Sequence, residues 1–86
     1  MEFANDTNVK ARFDYFDLNQ SQNQLTISPE SSQNVEGVLL PSQIAVSLWE
    51  NGEEVYGTLK GELQLNSVIA GVIMGEDGIT PELRIL

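Results

Sequence analysis

IAVSLWENGEEVYGTL, residues 44–59, is the stretch on which the fold turns. At its centre stands Asn51-Gly52, a pair suited to a two-residue hairpin turn because both positions accept positive φ. With the turn placed there, Leu48 faces Val55, Val46 faces Gly57 and Ile44 faces Leu59 on one side of the ribbon. On the other side Ser47 faces Tyr56, Ala45 faces Thr58 and Trp49 faces Glu54. The strongly aliphatic residues fall together, and a slip of one residue would scatter them. A helix over residues 41–50 is the competing possibility, with Pro41 at its first position, apolar residues at Ile44, Ala45, Leu48 and Trp49, and Gly52 after its end. The strand is favoured, since residues beyond Gly52 answer the alternation before it.

Working outward, VKARFDYFDL (9–18) alternates, with Val9, Ala11, Phe13 and Tyr15 on one face and Lys10, Arg12 and Asp14 on the other. The alternation slips at Tyr15-Phe16, where a bulge would keep Phe16 and Leu18 inside. NQSQNQ (19–24) reads as a turn, LTIS (25–28) as a short edge strand, PESSQN (29–34) as a loop and VEGVLLP (35–41) as a weaker strand. Residues 1–7 read as a loose lead-in. Asn5-Asp6-Thr7 matches a glycosylation sequon, which we take as a chance match.

Past the hairpin, residues 53–65 form a long strand whose inward positions include Gly57 and Gly61, the residues a tightly coiled strand uses where another backbone comes close. A turn at Asn66-Ser67 would bring 68–74 back antiparallel to it, with Leu59 level with Met74. That returning strand is apolar on both faces, and so central or covered. GEDG (75–78) makes the next turn, and in ITPELRIL Pro81 marks an edge, with Leu83, Ile85 and Leu86 mostly buried. These elements predict a single mostly β domain over residues 1–86: a small antiparallel barrel or rolled sandwich of about five to seven strands.

Composition narrows the chemistry. The chain has no cysteine and no histidine, so it offers no disulfide, thiolate metal site, thiol nucleophile or imidazole base. No Gly-x-Ser-x-Gly or Ser-x-x-Lys context appears, and an enclosed cleft between paired carboxylates is more than 86 residues ordinarily build. No catalytic residue, metal ligand or cofactor site is therefore expected. DLNQSQNQLTIS (17–28) starts like a calcium loop with Asp17, Asn19 and Ser21, but has Gln22 where the loop needs glycine and Ser28 where it needs glutamate. A polar hairpin loop accounts for it better. The net charge of −9, with only Lys10, Arg12, Lys60 and Arg84 as cations, argues against direct binding of nucleic acid or anionic membranes. SVIAGVIM (67–74), the longest apolar run, is too short to span a bilayer, and the acidic N-terminal residues are unlike a signal peptide, so a cytoplasmic protein is expected.

The predicted topology gathers Glu50, Glu53 and Glu54 of the hairpin tip and Glu76 and Asp77 of the GEDG turn at one end of the sheet, as an acidic rim beside Trp49 and Tyr56. Acidic turns keep exposed tips soluble and discourage edge pairing. The same rim can steer a basic protein surface onto an aromatic contact. The expected function is thus a non-catalytic protein-protein interaction module: a small regulator, inhibitor or assembly subunit that binds through sheet edges and the rim. A shared-edge homodimer fits the same facts. The alternative is a nucleic-acid-mimicking inhibitor of a nucleic-acid-processing enzyme, of the kind phages encode.

Overall fold

The computed structural model describes residues 1–86 and contains nine strands and no helix. They are β1 (Glu2–Asp6), β2 (Lys10–Phe16), β3 (Gln22–Ile27), β4 (Ser31–Asn34), β5 (Ser42–Glu50), β6 (Glu53–Glu54), β7 (Leu59–Leu63), β8 (Ile69–Met74) and β9 (Pro81–Ile85). One sheet has the order β4-β1-β8-β9; in the other, β3-β2-β5 continues to β6 and β7, which both pair with β5. The two sheets face one another as a sandwich, and neither closes into a barrel. The β1/β8 pair is parallel, so the architecture is mixed where an all-antiparallel one was expected.

The alternation in β2 and β5 does what the sequence predicts. Ala11, Phe13, Ile44, Val46 and Leu48 are buried, while Lys10, Arg12, Asp14, Ala45 and Trp49 take the outer face. Residues 42–50 are strand throughout, which removes the helical alternative. At the tip Asn51 and Gly52 have φ of 53° and 79°, and Trp49 lies opposite Glu54 and Glu50 opposite Glu53. The Val55 N–H donates to the Leu48 carbonyl at 2.9 Å, and there the simple hairpin ends.

Beyond Leu48 the register shifts by two: Val46 pairs with Leu59 and Ile44 with Gly61, where the uninterrupted hairpin would give Gly57 and Leu59. Residues 55–58 absorb the slack, so the expected single strand over 53–65 is two strands, β6 and β7. A shift of two preserves the side-chain parity, which is why Leu59 and Leu63 still reach the core although their partners differ. Val55 is turned out, 42% exposed. Gly61 does admit a close neighbour, but it is side chains and not another backbone: a Cβ there would lie 2.9 Å from Ile85 Cδ1 and 3.1 Å from Leu83 Cδ2, so its bareness lets β9 pack over β7. Gly57 has no such neighbour.

The N-terminal residues overturn the expectation most completely. Residues 2–6 are no lead-in; β1 is an interior strand bonded to β4 on one side and to β8 on the other. Phe3, fully buried, stacks on Phe13 of the facing sheet with ring centroids 5.2 Å apart and lies 5.3 Å from the Tyr15 ring. Asn5, also fully buried, has its Nδ2 at 2.8 Å from the Val9 carbonyl, 3.0 Å from Ile27 and 3.2 Å from Ser28, while its Oδ1 accepts from the Thr7 N–H and hydroxyl. The Asn-Asp-Thr sequence is thus the end of β1, with Asn5 and Thr7 buried and Asp6 exposed, and the nitrogen a glycan would need is engaged inside the protein.

Because β1 occupies this place, β8 does not return beside β7; Asn66-Ser67 carries the chain across to the other sheet, with the Ser67 hydroxyl accepting from the Gln64 N–H at 2.8 Å. β8 is nonetheless central, as its two apolar faces predict, lying between β1 and β9. SSQN, expected as loop, forms the edge strand β4, whereas 35–41 forms only an isolated bridge between Val38 and Asp17. β2 continues in register to Phe16 opposite Gln22 without a bulge, leaving Leu18 exposed. Leu83 and Ile85 are half-buried, but Leu86 is 71% exposed.

Two stability measurements follow from β1. Phe3→Ala leaves a cavity between the sheets and lowers unfolding free energy by about 3–5 kcal/mol in urea titrations, a large share of the roughly 4–13 kcal/mol expected for this length. Asn5→Ala removes the amide donor shared by the Val9, Ile27 and Ser28 carbonyls and leaves the buried Thr7 N–H without its acceptor, and costs about 1–3 kcal/mol by the same measurement.

Candidate functional site

The acidic residues singled out from the sequence do lie at one end of the molecule, by a different route from the one predicted. Parallel β1 and β8 both finish there, at Asp6 and Met74. β2 starts at the same end after Thr7–Val9, and antiparallel β5 places Trp49 opposite Lys10, which sets the Asn51-Gly52 tip there as well. The tip lines one shallow hollow together with Asn8, Val9, Lys10 and Pro29. The Gly75–Gly78 turn, between β8 and β9, is carried by the facing sheet. The two loops therefore belong to opposite layers of the sandwich and not to neighbouring strands of one sheet.

Their carboxylates are not equivalent. Glu50, Glu53, Glu54 and Glu76 are all exposed. Of these, only Glu54 has an internal partner, accepting from the Thr58 hydroxyl at 3.2 Å. The chain's one ion pair, Arg84 to Glu82 at 3.5 Å, stands beside the Gly75–Gly78 turn, where both residues line the same shallow hollow as Glu76 and Asp77, but no cation is ion-paired to Glu50, Glu53, Glu54 or Glu76 themselves. Asp77, by contrast, builds its own turn: Oδ1 accepts from the Ile79 and Thr80 N–H groups at 2.9 Å, and Oδ2 accepts from the Thr80 hydroxyl at 2.9 Å. These bonds, the Thr80 N–H foremost, hold its carboxyl below the usual aspartate range.

Asp17 is built the same way. The Asn23 amide donates to Oδ2 at 2.8 Å, and the Ser21 and Asn19 N–H groups donate to Oδ1 at 3.0 and 2.9 Å. Its pKa is lowered by these bonds, chiefly the one from Asn23. N–H groups thus point at the oxygens that a calcium ion would have to share, and the segment is the polar hairpin loop its sequence suggests.

The aromatic residues take separate positions. Trp49 lies half-buried on the outer face of its sheet, with the Arg12 guanidinium 4.4 Å from its ring centroid and its indole N–H donated to the Ser47 hydroxyl at 2.8 Å. Tyr56 falls in the irregular 55–58 segment and packs against the core, not on the outer face opposite Ser47. Of the pair, Trp49 is the one on the outer face of its sheet, and Arg12 already covers its ring.

One feature escaped the sequence reading. Three of the four cations, Lys10, Arg12 and Lys60, stand on the outer face of the β3-β2-β5-β7 sheet, by their registers with Trp49, Ser47 and Ala45. A shallow groove there is lined by Asp14, Phe16, Gln22, Gln43, Lys60 and Glu62. Alternation along β2 and β7 contains this signal, because residues 10, 12 and 60 all oppose the core face.

The two depressed aspartates set an acid limb. A carboxylate whose folded pKa is lowered contributes stability above its unfolded value near 3.9, and that contribution is lost as pH falls through the folded pKa. Stability should therefore fall below about pH 4, and Asp17→Asn/Asp77→Asn should flatten the decline in denaturation midpoints measured across that range.

Comparison with protein-family models, curated proteins and solved structures found no match for the chain. What the protein does is accordingly argued from its own geometry.

Proposed function

We propose that the protein is a non-catalytic protein-protein interaction module, a small acidic regulator, inhibitor or assembly subunit of the cytoplasm, that binds through its sheet edges and its acidic end. The observation that carries this reading is the tip itself. Glu50, Glu53 and Glu54 project from a rigid two-residue turn, exposed and without an ion-pair partner, at the same end as Glu76. Such an arrangement presents negative charge at little conformational cost, because the backbone that carries it is already fixed by β5. A basic protein surface is the matching partner, with electrostatic steering raising its on-rate.

Glu53→Lys/Glu54→Lys is the variant that tests it, since both side chains are exposed and the turn depends on neither. Used as bait in the native host's extract, the wild type should retain a partner that this variant loses, with the variant's unfolding midpoint unchanged. Retention by both would remove the rim from the binding surface. Trp49→Ala is a less clean probe, because it also unseats Arg12. Salt grades the alternative: a mimic of nucleic acid loses its partner steeply as ionic strength rises, a rim contact of a few glutamates loses it more gently, and an edge-mediated contact loses little.

A further inference from the structure

Every edge strand of a sandwich presents unpaired backbone groups, and the edges of this one are defended unequally. On one flank, β6 and β7 carry Glu53, Glu54, Lys60 and Glu62, and β9 carries Pro81, Glu82 and Arg84. On the other flank, where β3 and β4 end their sheets, residues 19–34 contain a single charged side chain, Glu30. β3, QNQLTI, has no charge, no proline and no bulge, and it pairs only with β2.

Its free groups can be assigned. The Asp17 N–H donates to the Ser21 carbonyl, and residues of an antiparallel pair alternate between bonding their partner and pointing away. Counting up β3 from that bond, Asn23, Leu25 and Ile27 bond to β2, while Gln22, Gln24 and Thr26 direct their N–H and C=O groups outward. The side chains of those three are exposed.

Resting on the interaction-module reading, we infer that this edge is the contact for a second copy of the chain, β3 against β3′, antiparallel about a two-fold axis at Gln24. Among two-fold registers, the one that uses all three outward residues places Gln24 opposite Gln24′ and Gln22 opposite Thr26′, with Asn23 opposite Leu25′. No charge faces a like charge across that seam. The flank is also where two chains of charge −9 can approach with least repulsion, which selects another copy's β3 over its charged edges at β6, β7 and β9; β3 offers six residues for pairing where β4, on the same flank, offers four. Half-buried Leu25 gains cover from the partner's Asn23. The contact closes on itself, so it gives a dimer and not a fibre.

The absence of native cysteine makes the register directly readable. Paired residues across such a seam have Cα atoms about 5.5 Å apart, within disulfide reach. Gln24→Cys should therefore cross-link to itself under mild oxidation. Gln22→Cys alone should not, because its own counterpart lies four residues away, about 13 Å, yet it should cross-link when mixed with Thr26→Cys. In sedimentation equilibrium the wild-type dimer should tighten with added salt as the mutual repulsion is screened. The near-isosteric Gln24→Glu, which sets two carboxylates face to face, should weaken it about tenfold without altering the monomer's unfolding midpoint. A wild type that stays monomeric to about 1 mM in about 0.5 M salt overturns the inference, as does Gln22→Cys cross-linking as readily as Gln24→Cys. A monomer that still loses its captured partner on Glu53→Lys/Glu54→Lys would sink self-pairing alone and leave the module reading in place.

Discussion

Phe3 against Phe13 is the contact on which the sandwich depends. It joins the middle of one sheet to the middle of the other, and its ring comes from a strand of only five residues. Without β1, β8 loses its parallel neighbour and β4 has nothing to pair with, so the four-stranded sheet reduces to the β8/β9 hairpin. Two residues along, Asn5 adds a polar counterpart at the rim of the core. It bonds to the backbone at Val9 and at Ile27 and Ser28, which ties the ends of three neighbouring segments together. A buried amide that satisfies every neighbour fixes one arrangement, whereas an apolar residue there would fill space without choosing among registers.

That knot explains the placement of charge. Since β1 and β8 are parallel and β2 starts where β1 stops, the Asn51-Gly52 tip and the Gly75–Gly78 turn have to emerge at one end. Asp77 is consumed in shaping its turn, and the glutamates are not. The flank formed by β3 and β4 is the complement of this end: nearly free of charge, with backbone groups facing outward. An acidic end and an uncharged edge on different sides of one small sandwich allow two contacts of different physical kind, one steered by charge and one made of backbone hydrogen bonds.

What the sequence made legible was parity. Ala11, Phe13, Ile44, Val46 and Leu48 were identified as one face because strand alternation has a period of two, and the turn at Asn51-Gly52 because few other pairs accept positive φ at both positions. Pairing was less legible, since a register shift of two at residues 55–58 leaves every face unchanged and therefore no trace in the hydrophobic pattern. β1 was missed for a related reason. EFAND is short, and its second inward residue is Asn5, which reads as a loop residue until its bonding partners are known. Its parallel partner β8 is more than sixty residues away in sequence, beyond any local cue. The acidic end is legible although the β7/β8 pairing is not, because the antiparallel pairing expected and the parallel β1/β8 pairing observed both run β8 toward the same end. Trp49's engagement by Arg12 and Ser47 depended on side-chain contacts that alternation alone does not supply.

The central claim, that a five-residue N-terminal strand is an interior element joining the two sheets, is tested most directly by residue-resolved amide hydrogen exchange. The amides of β1 that bond to β4 and β8 should open only with global unfolding, with protection equal to that of the core amides of β2 and β8. Exchange of residues 2–6 at the rate of a frayed terminus, with β2 and β5 still protected, would contradict it.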